Sequence, residues 1–357
     1  MNSLLTIPRV SSRCTSNLIR SFSTSKTWSS AVHTSLQMAP QQPATLHLSS
    51  GHSFPGKSFG STSSVYGETV FTTSITSYTE SLTDPSYQGQ LLSFTQPLIG
   101  NYGVPSNKSG SYSSISPHGN QSDVEVGSFL ESSKPQPSGV IVSDLCDRYS
   151  HFEAIESLDS WLKRFNIPGI SGIDTRALTT LLRNQGSTLG AIKIGENHEI
   201  PPEKSSFIDP MSLNLISKVS TKQPFVIHPK GGKENARANI ALLDFGCKAN
   251  ILRSLLRCNV SVTVLPWDYN FAQENVRDKF DGLFLSNGPG SPYSIPEAIE
   301  TTKKVLNQWK RPVFGICMGN QVSNEEKQIV ERGIMKRRGT WKRIWKQGEK
   351  RNLLKER

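Results

Sequence analysis

Cysteine is scarce in this sequence of 357 residues. Cys14, Cys146, Cys247, Cys258 and Cys317 are scattered, and no two form a CxxC pair. Structural zinc sites and disulfide frameworks need paired or regularly spaced cysteines, so neither is expected, and the usage suits a reducing compartment. Long apolar runs are missing too. None approaches the roughly 20 residues of a membrane helix, so no membrane partner is expected. There is no GxxxxGK[ST] phosphate loop and no His/Cys/Asp/Glu cluster with metal spacing. Histidine is absent after position 228: His33, His47, His52, His118, His151, His198 and His228 all precede Cys317.

Acidic residues are missing from the first 40 positions, where Arg9, Arg13, Arg20 and Lys26 stand alone. Residues 322–357 hold twelve Lys or Arg against five Glu. These two ends carry the whole net charge of +11, and residues 41–321 are neutral with 24 residues of each sign. The folded part therefore gives no electrostatic argument for nucleic acid. Residues 1–40 are rich in Ser and Arg and carry scattered apolar residues without a continuous apolar core. That composition reads as a mitochondrial presequence, processed near Phe22, and directs the chain to the matrix.

Gly315-Ile316-Cys317-Met318-Gly319-Asn320-Gln321 follows the short apolar run Pro312-Val313-Phe314. Small residues around a cysteine after a buried strand are the pattern of a nucleophile elbow, a sharp strand-to-helix turn that lifts a reactive side chain above the sheet edge. The amides of the following helix favour thiolate. A buried core cysteine is the plainer reading of the same heptapeptide. Upstream, an apolar strand runs into Ser286-Asn287-Gly288-Pro289-Gly290-Ser291-Pro292, a tight turn whose backbone N–H groups suit an oxyanion. An ordinary strand-to-helix loop is the alternative.

Periodicity predicts strands at 45–48, 70–73, 90–94 and 139–142, and helices at 154–165 and 174–184. Asp174 or Thr175 is the expected N-cap of the second helix and Gly186 lies near its end. Residues 106–138, poor in apolar side chains, read as a flexible loop, and 219–238 as a polar linker. Strands at 239–244, 261–266, 282–286 and 312–316 then alternate with helices at 248–258 and 296–309. Alternation of this kind implies a parallel sheet covered on both faces, with its site beyond the carboxyl ends of the strands.

The two site motifs together resemble a class I glutamine amidotransferase domain with a Cys-His-Glu triad. Further motifs narrow the resemblance. They are Gly67-Glu68-Thr69-Val70-Phe71-Thr72-Thr73, Thr83-Asp84-Pro85-Ser86-Tyr87, Pro97-Leu98-Ile99-Gly100-Asn101-Tyr102-Gly103-Val104-Pro105 and Ile170-Ser171-Gly172-Ile173-Asp174-Thr175-Arg176. From about residue 44 to Gln321 the chain resembles the small subunit of carbamoyl-phosphate synthase, in its fungal arginine-pathway form. The resemblance implies an α/β chain: a mixed β/α domain over 41–218 and an incomplete doubly wound amidotransferase domain over 239–321. It implies Cys317 as nucleophile, Gly288, Gly290 and Met318 at the oxyanion hole, and Ser86, Gly288, Gly290, Met318 and Gln321 around glutamine. It implies a large partner subunit that uses ATP and Mg²⁺ to make carbamoyl phosphate, with no cofactor or metal on this chain.

The pattern breaks after Gln321. The family's downstream histidine and glutamate have no counterpart, and 322–357 reads as a basic tail outside the family, from a retained intron or a frameshift. A basic helix binding RNA or membrane is the weaker reading of that tail. Poor glutamine hydrolysis is the expectation, with a non-catalytic subunit that only binds the large chain as the rival. A pyrimidine-pathway homologue is disfavoured by residues 1–40, and an anthranilate-type amidotransferase by the 83–87 motif.

Overall fold

The computed structural model describes residues 41–107, 127–195, 207 and 209–324. The expected presequence and most of the basic tail lie outside these residues.

Strands β1 (Pro43–Leu48), β2 (Ser53–Gly60) and β3 (Val65–Thr72) open the chain. Helix α1 (Tyr78–Thr83) leads through a 3₁₀ turn at Pro85–Tyr87 into β4 (Gln90–Phe94). Two short strands, β5 (Leu98–Ile99) and β6 (Val104–Pro105), precede β7 (Gly139–Ile141), β8 (Asp144–Leu145) and β9 (Ala154–Glu156). Helix α2 (Leu158–Arg164), β10 (Pro168–Ser171), helix α3 (Thr175–Gln185) and β11 (Thr188–Ile194) complete the unit. Seven strands close into a barrel in the order β1-β11-β3-β4-β7-β10-β2. Closure removes sheet edges, which is one way a β-rich unit avoids open pairing sites. The period-2 pattern sorts its side chains. Leu91, Ile141, Ile170 and Ile192 pack with Leu178 and Leu182 of α3. Their neighbours Leu92 and Val140 pack with Leu82, Trp161 and Leu162 near α1 and α2.

Helix α3 forms where its periodicity places it, with the Asp174 carboxylate accepting from Ala177 N–H at 2.8 Å and Gly186 at φ 87° after its end. The helix expected over 154–165 is shorter. Ala154–Glu156 is strand, paired antiparallel with β6, and Ile155 is 62% exposed, so its apolar side chain marks no helical face. Ser157 caps the helix by accepting from Ser160 N–H at 3.2 Å.

The second sheet has the order β12-β14-β13-β15-β16. After helix α4 (Ile216–Val219) it comprises β12 (Phe225–Ile227), β13 (Asn239–Asp244), helix α5 (Ala249–Arg257), β14 (Ser261–Pro266), helix α6 (Glu274–Arg277), β15 (Gly282–Leu285), helix α7 (Pro296–Gln308), β16 (Val313–Gly315) and helix α8 (Met318–Asn324). All pairs are parallel except β12 with β14. The expected linker thus supplies an edge strand. Alternation in β13 shows the double winding: Ala241 and Leu243 pack in the cluster with Ala298, Val305 and Met318, Ile240 and Leu242 in the cluster with Leu252 and Leu255 of α5. Val322, expected to begin the tail, is 3% exposed in the first of these clusters. One helical turn after Met318, it lies on the same face of α8.

Residues 127–138, expected in a flexible loop, are packed. Leu130 is buried, Glu131 N–H donates to Thr83 Oγ1 at 2.8 Å, and Gln136 N–H donates to Leu82 O at 2.8 Å. This segment joins the barrel to α5. Helix α5 has no side-chain cap of its own at Lys248. Instead Glu131 provides the acceptors: its backbone O takes Ala249 N–H at 2.9 Å and its carboxylate takes Asn250 N–H at 2.8 Å. A carboxylate there also complements the helix dipole. Arg253 of the same helix donates to Gly127 O and Leu130 O and lies 3.8 Å from the Glu131 carboxylate.

Burial pushes the Glu131 carboxyl above its ordinary value of 4.5, against the Asn250 N–H and the charges of Lys248 and Arg253. A raised folded-state value means the stability from this group is complete below its unfolded value and declines as pH rises through the folded one. Glu131→Ala, which strips Arg253 of its carboxylate and uncaps α5, is expected to cost about 3 kcal/mol. Glu131→Gln keeps an acceptor for Asn250, costs less, and flattens the decline from about pH 4 upward. Urea unfolding of both variants across pH checks this.

Candidate active site

Strands β15 and β16 run parallel with Leu285 opposite Gly315, so the loops that follow leave the same sheet edge side by side. Cys317 stands at the end of β16 at φ 50°. A non-glycine residue in the left-handed region costs about 1–2 kcal/mol and persists only where its surroundings hold it. Those surroundings are visible. Ile316 N–H donates to Leu285 O at 3.0 Å and Gly319 N–H to Ser286 O at 3.0 Å. A Cβ at Gly319 would lie 2.3 Å from Leu285 O, so only glycine lets α8 start this close to β15. The turn leaves Cys317 exposed and buries the Met318 side chain at 1% exposure. Met318 N–H makes no hydrogen bond among the described residues. Gln321 sits one turn on, its N–H donating to Cys317 O at 3.0 Å, with its side chain exposed.

The loop after β15 is pressed against the end of β13. A Cβ at Gly288 would meet Phe245 O at 2.1 Å, and Gly290 has φ 80°. Ser286 Oγ accepts from Phe245 N–H at 2.9 Å and donates to Asn287 O at 2.8 Å. The buried Asn287 side chain reaches in two directions. Its Oδ1 accepts from Lys248 N–H at 3.1 Å, and its Nδ2 donates to Ser86 Oγ at 2.9 Å.

Ser86 comes from the barrel unit, on the 3₁₀ turn capped by Asp84, whose Oδ1 accepts from Ser86 N–H at 2.9 Å. The other Asp84 oxygen meets Lys248 Nζ at 2.7 Å. Burial opposes the Lys248 ammonium, but the Asp84 carboxylate prevails and holds it above its ordinary value. A Cβ on Gly246 would come within 3.2 Å of both Pro85 and Pro289, so the two turns press on one backbone. Asp244 secures that backbone by accepting from Gly246 N–H at 2.9 Å, Cys247 N–H at 2.7 Å and Thr221 N–H at 2.7 Å. Its burial still raises the carboxyl above the ordinary range. Cys247, partly covered, is pushed up by burial and by the Asp244, Glu131 and Asp84 carboxylates. It stays a neutral thiol, whereas Cys317 is exposed.

The structure thus gathers Ser86, Gly288 and Gly290 on one interlocked loop system and places Cys317, Met318 and Gln321 on the adjoining elbow. The sequence reading missed Asn287, although it immediately precedes Gly-Pro-Gly, and missed Lys248 and Asp84. No described histidine lies at this edge. His228 Nδ1 pairs with Ser261 Oγ at 2.9 Å at the opposite, amino end of β14, and His47, His52 and His151 belong to the barrel unit. A concavity of about 540 Å³ lined by Ser64, Lys134, Gln136 and Phe165 holds none of the candidate residues. Among the described residues no group of three His, Cys, Asp or Glu could hold a metal, and no helix is long and apolar enough to cross a membrane.

Residues 46–192 match the carbamoyl-phosphate synthase small chain, CPSase domain. Residues 241–351 match glutamine amidotransferase class-I, a range that runs past Gln321. The chain is 46% identical over 279 residues to the carbamoyl phosphate synthase arginine-specific small chain of Chaetomium globosum, covering 78% of this chain and 56% of that one. It is 45% identical over 284 residues to the protein of the same name from Schizosaccharomyces pombe, covering 80% and 64%. It therefore spans about 56–64% of the length of these relatives. A solved aminopeptidase from Aneurinibacillus sp. strain AM-1 is 11% identical with a TM-score of 0.24, covering 81% of this chain and 73% of that one, a likeness too slight to carry an argument.

The strain at Cys317 has a direct test. Cys317→Gly relieves the left-handed backbone and Cys317→Ala does not, so the glycine variant should be the more stable by about 1 kcal/mol. Denaturant midpoints of the two variants decide it, since an unstrained turn would reverse their order.

Proposed function

Because the chain belongs to the carbamoyl-phosphate synthase small-chain family, we propose that it carries the nucleophile of a glutamine-hydrolysing site serving arginine synthesis. The observation that carries this reading is the left-handed, exposed Cys317 on an elbow hydrogen-bonded to Ser286, with Ser86 hydrogen-bonded into the loop that follows through Asn287. Glutamine would lie along the sheet edge against Ser86 and Gln321. The Cys317 thiolate would attack the side-chain amide carbon. The oxyanion of the tetrahedral intermediate would be met by the N–H groups of Met318, Gly288 and Gly290. Collapse breaks the C–N bond, ammonia leaves with an added proton, and water then hydrolyses the thioester. Ammonia would pass to a large partner subunit that makes carbamoyl phosphate from bicarbonate with ATP and Mg²⁺. This chain itself would need no cofactor. The acid-free, Arg- and Ser-rich composition of residues 1–40 supports a mitochondrial matrix location.

A second reading, a subunit that docks on the large chain without turning over glutamine, is favoured by one observation. The leaving ammonia needs a proton donor, and no described histidine stands near Cys317. A positioned acid–base group contributes about 10²–10⁴ in rate. The full chain with its large subunit is therefore expected to release ammonia slowly, to lose that release in Cys317→Ser, and to be accelerated by added imidazole. Ammonia release surviving Cys317→Ser would overturn the nucleophile assignment. Binding to the large subunit with no release, even in imidazole, would establish the docking reading instead.

A further inference from the structure

Asn287 joins three parts of the chain, and the chemistry of its partners leaves its amide one orientation. The backbone N–H of Lys248 can only donate, so the atom 3.1 Å from it is Oδ1. The other end of the amide, 2.9 Å from Ser86 Oγ, is then Nδ2, which can only donate. Ser86 Oγ must accept this bond. Its own proton goes elsewhere, and among the described residues it has no acceptor. Asn287 is 3% exposed, so water does not compete for either end of its amide.

We propose that Asn287 is a positioning residue that sets Ser86 as a hydrogen-bond donor toward an anionic or carbonyl oxygen of the bound amino acid. The inference rests on the reading of this edge as a glutamine site. A serine hydroxyl can donate or accept, and left alone it would divide its population between the two. The fixed amide takes one of the hydroxyl's two lone pairs in advance of binding and leaves its proton for the ligand. The ligand chemistry favoured at the free proton is an acceptor, a carboxylate or an amide oxygen. Because the same amide holds Lys248 N–H, the setting is coupled to the turn that starts α5. Asn287 acts through Ser86 and is not itself placed against the reacting atoms.

Asn287→Asp inverts the arrangement with almost no change of shape. The carboxylate still accepts from Lys248 N–H, but it also accepts from Ser86 O–H and takes away the proton meant for the ligand. The experiment uses the purified full chain and follows alkylation of the Cys317 peptide by iodoacetamide, read by mass spectrometry, against increasing L-glutamine. Alkylation without glutamine reports an intact elbow in every variant. Asn287→Asp is expected to raise the glutamine concentration for half-protection about tenfold, the usual worth of a hydrogen bond to a charged group. Ser86→Ala should do the same, and the two changes together should be no worse than Ser86→Ala alone. An equal effect of Asn287→Asp with and without Ser86 would mean simple charge repulsion and would overturn the proposal, as would no effect. Should Asn287→Asp fail to fold by circular dichroism, Asn287→Ala takes its place in the same cycle, with an expected loss of about threefold. Absence of any protection in the unaltered chain would remove the glutamine reading itself, and this inference with it.

Discussion

The carboxylate of Glu131 at the start of α5 is the contact on which the rest of the arrangement depends. It belongs to a segment hydrogen-bonded to α1 and satisfies donors that α5 cannot satisfy itself. Both Glu131 and Arg253 are nearly buried, and a buried ion pair contributes less to stability than its distance suggests because desolvation offsets much of the attraction. Its value lies in placement. Once α5 is seated, Lys248 at its foot meets Asp84, and the turn that carries Ser86 is drawn against Gly246, Asn287 and Pro289. The candidate site is thus assembled from two sheets, and neither holds all of it.

At the other side of the site the constraint is steric. The left-handed Cys317 is affordable because Gly319 lets the first turn of α8 rest on Leu285 and Ser286, and because Met318 and Val322 drive that helix into the core. Hydrophobic burial on one face of α8 is converted into exposure of the thiol at its start. Of the four amides from Met318 to Gln321, Met318 N–H alone makes no hydrogen bond among the described residues.

What could be read from the sequence was whatever is written locally. The strand–elbow–helix around Cys317, the Gly288–Gly290 turn, the capped α3 and the alternation of β13 to β16 each follow from spacing within a dozen residues. Misreadings share a cause. Ala154–Glu156 and Phe225–Ile227 are strands because a distant strand pairs with them, and three residues are too few to show a period of two. Residues 127–138 read as flexible loop because their few apolar side chains hide polar atoms matched elsewhere. The Glu131–Asn250 and Asn287–Ser86 bonds span 119 and 201 residues, and no local pattern announces such partners.

The barrel carries a further consequence, in time rather than space. Its first strand, β1, pairs with its last, β11, with Ala44 opposite Ile194. Until the ribosome has delivered those intervening residues, at roughly 5–20 residues per second, β1 has only β2 for company and the apolar row Ala44, Leu46 and Leu48 has no complete core. For about 8–30 s of synthesis the nascent chain presents an unclosed edge, and any slowing of elongation across α3 lengthens that exposure directly.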